Sequence, residues 1–357
     1  MDRRNGSLDL LRGLAIALVL NCHIYNAFEP HGPLGRYLGI GGRGVDLFFL
    51  LSGWLLGQQL LVEREKTGTI DVRRFWLRRA FRIFPAYYAV LAFQVAQAIW
   101  NRGITAFDPA YWVFVQNYLP AMPYFAVSWS LCVEEHFYLV IGPVLVLMAR
   151  TRWAGPVVCL LLAVPTVCRL MGWYHTESMF ETHVRFDQCA TGVALAWVCV
   201  RRPIWWQRLC RLAPIFALFG LGLVGYLVFV GGLPVSGSIY PTVDITAWTL
   251  VFAAWVLLAN SSPWWATAWN SLAGRYLANR AFALYLLHTD AIAAVTKLGE
   301  LPIEVRFALV WFVALIGAEV LYRGIERPGM RMREWFAITA QKSKSPSQSP
   351  PVATGGP

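Results

Sequence analysis

Long apolar segments recur along almost the whole of this chain of 357 residues. Most of them approach the length of about 17–25 residues that a helix needs to cross a bilayer. Only 14% of the residues are charged and the mean hydropathy is +0.49, whereas a soluble domain carries about 25% charged residues. The sequence therefore predicts an all-α polytopic membrane protein with about ten transmembrane helices. The predicted spans are residues 8–28, 44–62, 82–100, 128–148, 153–171, 186–200, 212–231, 243–259, 280–298 and 305–323.

The distribution of positive charge predicts how these spans are oriented. The net charge is +11, and most of the 31 lysines and arginines fall in the N-terminal segment and in every second loop. Loops rich in lysine and arginine stay on the cytoplasmic side of a membrane. We therefore expect both termini in the cytoplasm, and basic surfaces that face lipid or an anionic substrate. We expect no nucleic-acid partner.

Almost the entire chain is predicted to form one integral membrane domain, at residues 1–340. The remaining segment, 341–357, is rich in Ser, Pro and Gly and predicts a disordered cytoplasmic tail. The seven cysteines fall mostly in spans or cytoplasmic loops, which indicates small packing residues rather than a disulfide framework. No spacing typical of a metal site is present, so we expect no metal.

Two polar residues share one face of the first predicted span. Arg12 and His23 are eleven positions apart, or about three helical turns and about 16 Å along the axis. An arginine near a helix centre costs about 2.5–3.5 kcal/mol on insertion scales. The pair is explained either by a snorkelling anchor with a packed histidine or by a functional site whose imidazole exchanges protons near neutral pH.

A second group of arginines precedes the third predicted span. Arg79 and Arg82 are three residues apart, which places them on one helical face where they can share an anion. The alternative interpretation is ordinary anchoring at the cytoplasmic surface. If the arginines bind the phosphates of a donor, the long flexible arm of coenzyme A can reach His23 while the phosphates stay bound. A nucleotide sugar has no such arm, so the whole molecule would have to leave the arginines to reach His23.

Seven motifs, taken in order, resemble the acyltransferase-3 family and together cover about residues 7–328. They are LDLLRGLAIALVLNCH (8–23), RGVDLFFLLSGWLL (43–56), RRFWLRRAFRIFPAYY (73–88), VSWSLCVEEHFYL (127–139), RFDQCATGVALAW (185–197), ALYLLHTD (283–290) and YRGIERP (322–328).

This resemblance implies a multi-pass enzyme of the bacterial cytoplasmic (inner) membrane. Such an enzyme moves an acyl group, commonly acetyl, from acyl-CoA to a hydroxyl of a surface or exported glycan or glycolipid, such as an exopolysaccharide or lipopolysaccharide. The implied donor substrate is acetyl-CoA, and no cofactor is expected to be bound permanently. We expect the stand-alone form of the family, in which transfer is completed within the membrane domain.

The resemblance also assigns roles to individual residues. The Arg-x10-His signature falls on Arg12 and His23, and Arg-x-x-Arg falls on Arg79 and Arg82. The arginines are expected to bind acyl-CoA, and His23 is expected to be the general base. Glu134 and Glu135 match a Glu-Glu pair, and either is expected to orient the imidazole or to stabilise its cation. Contacts with the acceptor, or support for such contacts, are expected from Asp46, Ser52 and Arg185. The alternative for the buried charged residues is that they pair with each other and orient the helices.

Two other functions fit a chain of this type. A proton-coupled transporter or flippase for a glycolipid also uses buried histidines and carboxylates, but it yields no acylated product. A membrane glycosyltransferase that uses a lipid-phosphate sugar would take Asp46 or Glu134 as its base and would ignore acetyl-CoA. An assay for transfer from acetyl-CoA separates acyl transfer from both alternatives.

Overall fold

The computed structural model describes residues 6–29, 39–103, 107–150, 154–175, 179–231, 240–261 and 272–332. Within these ranges the regular structure is helical, with no β-strand. This confirms the predicted all-α class. The predicted tail at 341–357 lies outside the described residues, as does the end of the predicted membrane domain.

Ten helices of fifteen residues or more occur in the described part of the chain. Seven helical segments, on α1 to α4, α7, α8 and α10, are long and apolar enough to cross a membrane. The chain is therefore a multi-pass membrane protein, while the number of ten crossings stays a prediction. The helices are α1 (Gly6–Phe28), α2 (Gly44–Thr67), α3 (Val72–Arg102), α4 (Trp129–Arg150), α5 (Ala154–Leu170), α6 (Asp187–Arg201), α7 (Pro203–Gly231), α8 (Tyr240–Ser261), α9 (Leu272–Thr296) and α10 (Ile303–Leu321).

Several helices begin well before the corresponding apolar segment. α3 starts at Val72 and not near residue 82, because the Asp71 side chain accepts a hydrogen bond from the backbone N–H of Arg74 at 2.9 Å and caps the helix. Arginine is a good helix former, so the basic stretch continues the helix. Arg79 and Arg82 are consequently held on a helix rather than in a loop.

Glycines allow α2 and α6 to pack with their backbones almost in contact. A Cβ atom on Gly53 would collide with the carbonyl oxygen of Cys189, and one on Gly192 would collide with that of Leu50. Further along both helices, Gly57 faces Val193. Because residue numbers rise together along this contact, the two helices run parallel.

Contacts between α1 and α9 show that these helices also run parallel. Gly13 on α1 packs against Leu277, with 3.5 Å between its Cβ position and the leucine Cβ. Ten residues further along α1, the ring of His23 meets the ring of His288. Residues of α1 and α9 that contact each other therefore lie at the same depth in the bundle.

The third helix runs in the same direction as α9. Arg82 and Ala278 line one cavity, and further along both helices Gln94 donates a hydrogen bond to Asp290. The first turns of α1, α3 and α9 consequently lie at the same end of the bundle. We call this the basic end, because it carries Arg12, Arg73, Arg74, Arg78, Arg79, Arg82, Arg275 and Arg280.

Replacing Gly53 with Ala is expected to destabilise the protein by about 1–3 kcal/mol, the usual range for overpacking. The added methyl group meets a backbone carbonyl, so the helices must move apart. Thermal unfolding of the purified protein in detergent measures the effect. Gly222→Ala is the control, because a Cβ there has no neighbour within 4 Å. An unchanged unfolding temperature for Gly53→Ala would contradict the packing described here.

Candidate active site

A cavity of about 910 Å³, counting the space that opens to solvent, lies toward the basic end. It is enclosed by α1, α2, α3, α4, α9 and the continuation of α10. All three arginines predicted to bind acyl-CoA line this cavity, together with Ser52 and Glu134. Its polar lining residues are Arg12, Ser52, Arg79, Arg82, Ser130, Glu134, Tyr138, Asn279, Tyr285 and Glu326. We call it the arginine cavity.

The charges of the arginine cavity suit an anionic ligand. Arg79 and Arg82 project from one face of α3, and both interact electrostatically with Glu134. Arg82 also interacts with Glu326, which is buried. Three guanidinium groups outnumber two carboxyl groups in this lining, and guanidinium groups bind phosphate in a bidentate manner.

Glu134 is held in place by two hydroxyl groups. Ser52 donates a hydrogen bond to Oε1 at 3.0 Å, and Tyr138 donates one to Oε2 at 2.9 Å. Ser52 belongs to α2 and Tyr138 lies one turn after Glu134 on α4. The carboxyl group is thereby fixed toward the arginines. Ser52, expected to contact the acceptor or to support such contacts, itself lines the arginine cavity beside Glu134.

A buried hydroxyl pair lies deeper in the same cavity. The oxygens of Ser130 and Tyr285 are 2.6 Å apart, and the Tyr285 hydroxyl donates to the carbonyl of Val127 at 2.8 Å. Tyr285 lines the cavity. Its ring lies 5.6 Å from the ring of His288, between centroids. Tyr285 therefore links the arginine cavity to the histidines of α1 and α9.

His23 and His288 form a pair of contacting rings. Their centroids are 4.7 Å apart, with an edge-to-face angle of 67°. The Nδ1 atom of His23 lies 2.8 Å from the carbonyl oxygen of Val19, and that of His288 lies 2.7 Å from the carbonyl oxygen of Tyr285. A carbonyl can only accept, so each Nδ1 carries a proton and each neutral ring keeps its lone pair on Nε2.

The remaining nitrogen of His288 is buried without a partner among the described residues. The residue is completely buried, and within the described part of the chain its Nε2 atom has no hydrogen-bond partner. A buried polar atom in this state is costly and commonly marks a functional position. His23 is partly buried and is not among the residues that line the arginine cavity.

The backbone carbonyl of Val19 orients the His23 ring in this structure. Neither predicted glutamate has a described hydrogen bond to His23. Glu134 faces the arginines, as described above. Glu135 is buried outside the lining of the arginine cavity, and its Oε1 atom has no partner among the described residues. Neither glutamate therefore makes the orienting contact in this structure, and that role stays a prediction.

Asp46 and Arg185 form a buried ion pair with each other. Asp46 also pairs with Arg43 at 3.2 Å, and Arg43 pairs with Asp244 of α8. The guanidinium of Arg185 lies over the ring of Trp129. Neither Asp46 nor Arg185 lines the arginine cavity. Because buried charges require partners, these contacts explain both residues by helix packing.

Sequence reasoning missed two residues of this site. His288 and Tyr285 both belong to the motif ALYLLHTD, to which no role was assigned from the sequence. An ionisable residue inside an apolar segment is itself an indication of function, so His288 had a detectable signal. The contact between His288 and His23 gave no such signal, because 264 residues lie between them in the sequence.

Comparison with known proteins identifies the family of this chain. A family described as an acyltransferase domain matches residues 5–321. The peptidoglycan O-acetyltransferase OatA of Listeria monocytogenes is 25% identical over 360 residues, covering 90% of this chain and 55% of that protein. YrhL of Bacillus subtilis, provisionally named for the same activity, is 26% identical over 358 residues, with coverage of 90% and 54%.

A third relative comes from Staphylococcus aureus strain COL and is provisionally named an O-acetyltransferase. It is 25% identical over 373 residues, which cover 92% of this chain and 58% of the relative. The chain thus spans little more than half the length of these relatives. No solved structure was found to match it. The family match extends over most of the chain, and the chain therefore belongs to the acyltransferase-3 family.

Proposed function

We propose that this protein is a membrane-embedded O-acyltransferase that moves an acyl group, acetyl in the simplest case, from acyl-CoA to a glycan hydroxyl. One observation carries the proposal. The arginine cavity gathers Arg12, Arg79 and Arg82, and it reaches Tyr285, whose ring contacts His288 beside His23. An anion site and a proton-accepting site are thereby joined through one short series of contacts.

The arginines account for binding of the donor. The phosphates of acyl-CoA interact with the guanidinium groups, and the pantetheine arm extends along the cavity toward Tyr285. Tyr285 and Ser130 offer hydroxyl groups near the far end of that path. Following the positive-inside rule, the basic end faces the cytoplasm of a bacterial cell, where acyl-CoA is made.

The histidine pair accounts for the chemical step. Nε2 of His23 takes the proton of the acceptor hydroxyl, whose oxygen attacks the thioester carbonyl. The tetrahedral intermediate collapses and breaks the carbon–sulfur bond, which releases the coenzyme A thiolate. The imidazolium returns its proton to that thiolate. The step forms one ester, consumes one thioester and leaves His23 neutral for the next cycle.

The class of acceptor is inferred from the relatives, two of which are named as peptidoglycan O-acetyltransferases. We infer a polysaccharide or a lipid-linked saccharide at the face opposite the cytoplasm. Deletion of the gene should remove base-labile acetyl groups from the host's envelope glycans, measured by proton NMR. A deletion strain with unchanged acetyl content would contradict the proposal and favour a transporter.

Replacing His23 with Ala should lower acetyl transfer by about 100-fold or more, because general bases contribute about 10²–10⁴-fold. Binding of acetyl-CoA should stay within about twofold, because the arginines that hold the phosphates are unchanged. Transfer of radiolabelled acetyl groups and calorimetric titration with acetyl-CoA measure the two quantities. His183→Ala, in the loop before α6, is the matched control and should keep full activity. Substantial transfer by His23→Ala would exclude this base.

Replacing Arg79 or Arg82 with Ala should weaken acetyl-CoA binding by about tenfold or more. Each substitution removes a charge-assisted contact worth about 1.5–3 kcal/mol. The KM for acetyl-CoA and its dependence on salt concentration measure the effect. Arg73→Ala is the control on the same helix, because Arg73 is exposed and does not line the cavity. Equal effects of all three substitutions would indicate surface attraction instead of a donor site.

His288 is expected to act as a positioning residue for His23. His288→Ala should lower kcat by about tenfold, or about 1.4 kcal/mol, and leave the KM for acetyl-CoA within twofold. Residues that act as a unit give non-additive effects, so the double variant with His23→Ala should be no slower than His23→Ala alone. A multiplicative loss in the double variant would show that the two histidines act independently.

A further inference from the structure

A second cavity lies at the end of the bundle opposite the basic end. It has about 890 Å³ of empty space, again counting the part open to solvent. It is bounded by the last turns of α3, by α9 and by the segment 122–127 before α4. Its polar lining side chains are Gln94, Gln97, Asn101, Tyr124, Thr289 and Asp290. We call it the glutamine cavity.

A fixed carboxylate lies at the centre of its polar lining. The side-chain amide of Gln94 donates to Oδ2 of Asp290 at 2.6 Å, and that of Gln97 donates to Oδ1 at 3.0 Å. Each carboxylate oxygen accepts one amide bond and retains a further lone pair for a ligand. The two glutamine carbonyl oxygens take no part in these bonds, so the group offers several acceptors in a rigid arrangement.

The charges of the two cavities are opposite in character. Among the described residues, those that line the glutamine cavity include one carboxylate and no lysine, arginine or histidine. A phosphate or nucleotide therefore meets no cation of this lining, and Asp290 repels it. Hydroxyl groups donate to carboxylate and carbonyl oxygens and accept from amides. The lining thus suits a neutral ligand with several hydroxyl groups, which is the chemistry of a saccharide.

The histidine pair lies between the two cavities. Thr289 and Asp290, which line the glutamine cavity, directly follow His288 in α9. Val127 also lines it, and the carbonyl of Val127 accepts the hydroxyl of Tyr285, which lines the arginine cavity. A hydroxyl entering from one cavity and a thioester entering from the other therefore approach the same part of the bundle.

We propose that the glutamine cavity is the acceptor site and that it binds a neutral saccharide unit through Gln94, Gln97 and Asp290. This inference rests on the proposed acyl transfer and assigns the second substrate of that reaction to a defined place. The amides hold the carboxylate, the carboxylate accepts ligand hydroxyls, and one further hydroxyl is directed to His23.

Two variants of different kinds test the site in the native host. Gln94→Ala combined with Gln97→Ala removes the amides, and Ala126→Trp fills the cavity from its exposed rim. Each is expressed in the deletion strain. Base-labile acetyl groups are counted by proton NMR, separately in the glycan polymer and in extracted lipid-linked saccharide. Both variants should lower acetylation by about tenfold or more, while the purified proteins bind acetyl-CoA within about twofold of the unsubstituted protein.

Matched controls accompany both variants. Gln58→Ala removes a half-buried glutamine of α2 that lines neither cavity, and Ala121→Trp adds an exposed tryptophan outside the lining. Both should retain full acetylation. If the glycan polymer loses its acetyl groups, the acceptor saccharide is polymeric. If the extracted lipid-linked saccharide loses them, the acceptor is lipid-linked.

The outcomes separate this inference from the proposed function. Full acetylation by the cavity variants would overturn the acceptor site and leave acyl transfer standing. A loss of acetyl-CoA binding parallel to the loss of acetylation would also overturn it, because the cavity would then serve the whole fold. Acetylation that does not depend on the unsubstituted protein would overturn both proposals.

Discussion

The need to neutralise charge inside a bilayer determines how this bundle is assembled. An ionised group in a lipid environment is costly unless it is paired or faces water. Asp46, Arg185, Arg43 and Asp244 satisfy that need with one another, and their ion pairs connect α2, the start of α6 and α8. Arg169 and Asp187 form a further buried pair at 2.7 Å. These charged groups therefore neutralise one another and hold the helices together.

The arginines of the other group are arranged differently. Arg79 and Arg82 line a cavity with Glu134 and Glu326 and are joined there by Arg12 of α1. The glycine contacts hold α2 and α6 together without filling this cavity. Arginine side chains therefore occur in two kinds of environment in this protein. Ion pairs hold helices together in one place, and in the proposed reaction an excess of guanidinium groups binds an anion in the other.

Local patterns predict the parts of this structure that depend on local physics. Apolar segments predicted the helices, and the three-residue spacing of Arg79 and Arg82 predicted that they share a face. The start of α3 was missed, because hydropathy does not register a capping Asp71. Local patterns could not predict contacts between helices that are distant in the sequence. Nothing in the sequence pairs Asp46 with Arg185 specifically, so their ion pair emerges only from the structure.

In the proposed reaction, the histidine pair keeps a base uncharged in a place where an ionised group is energetically costly. A carboxylate beside His23 would favour a permanent buried ion pair, and removing two charges from water costs several kcal/mol per ion. His288 carries no charge as a neutral ring, and both imidazoles satisfy Nδ1 on backbone carbonyls. In the proposed reaction, charge then exists only from proton uptake until the thiolate leaves. The arrangement exchanges the stabilising carboxylate of a triad for a neutral neighbour, which suits a site enclosed by membrane helices.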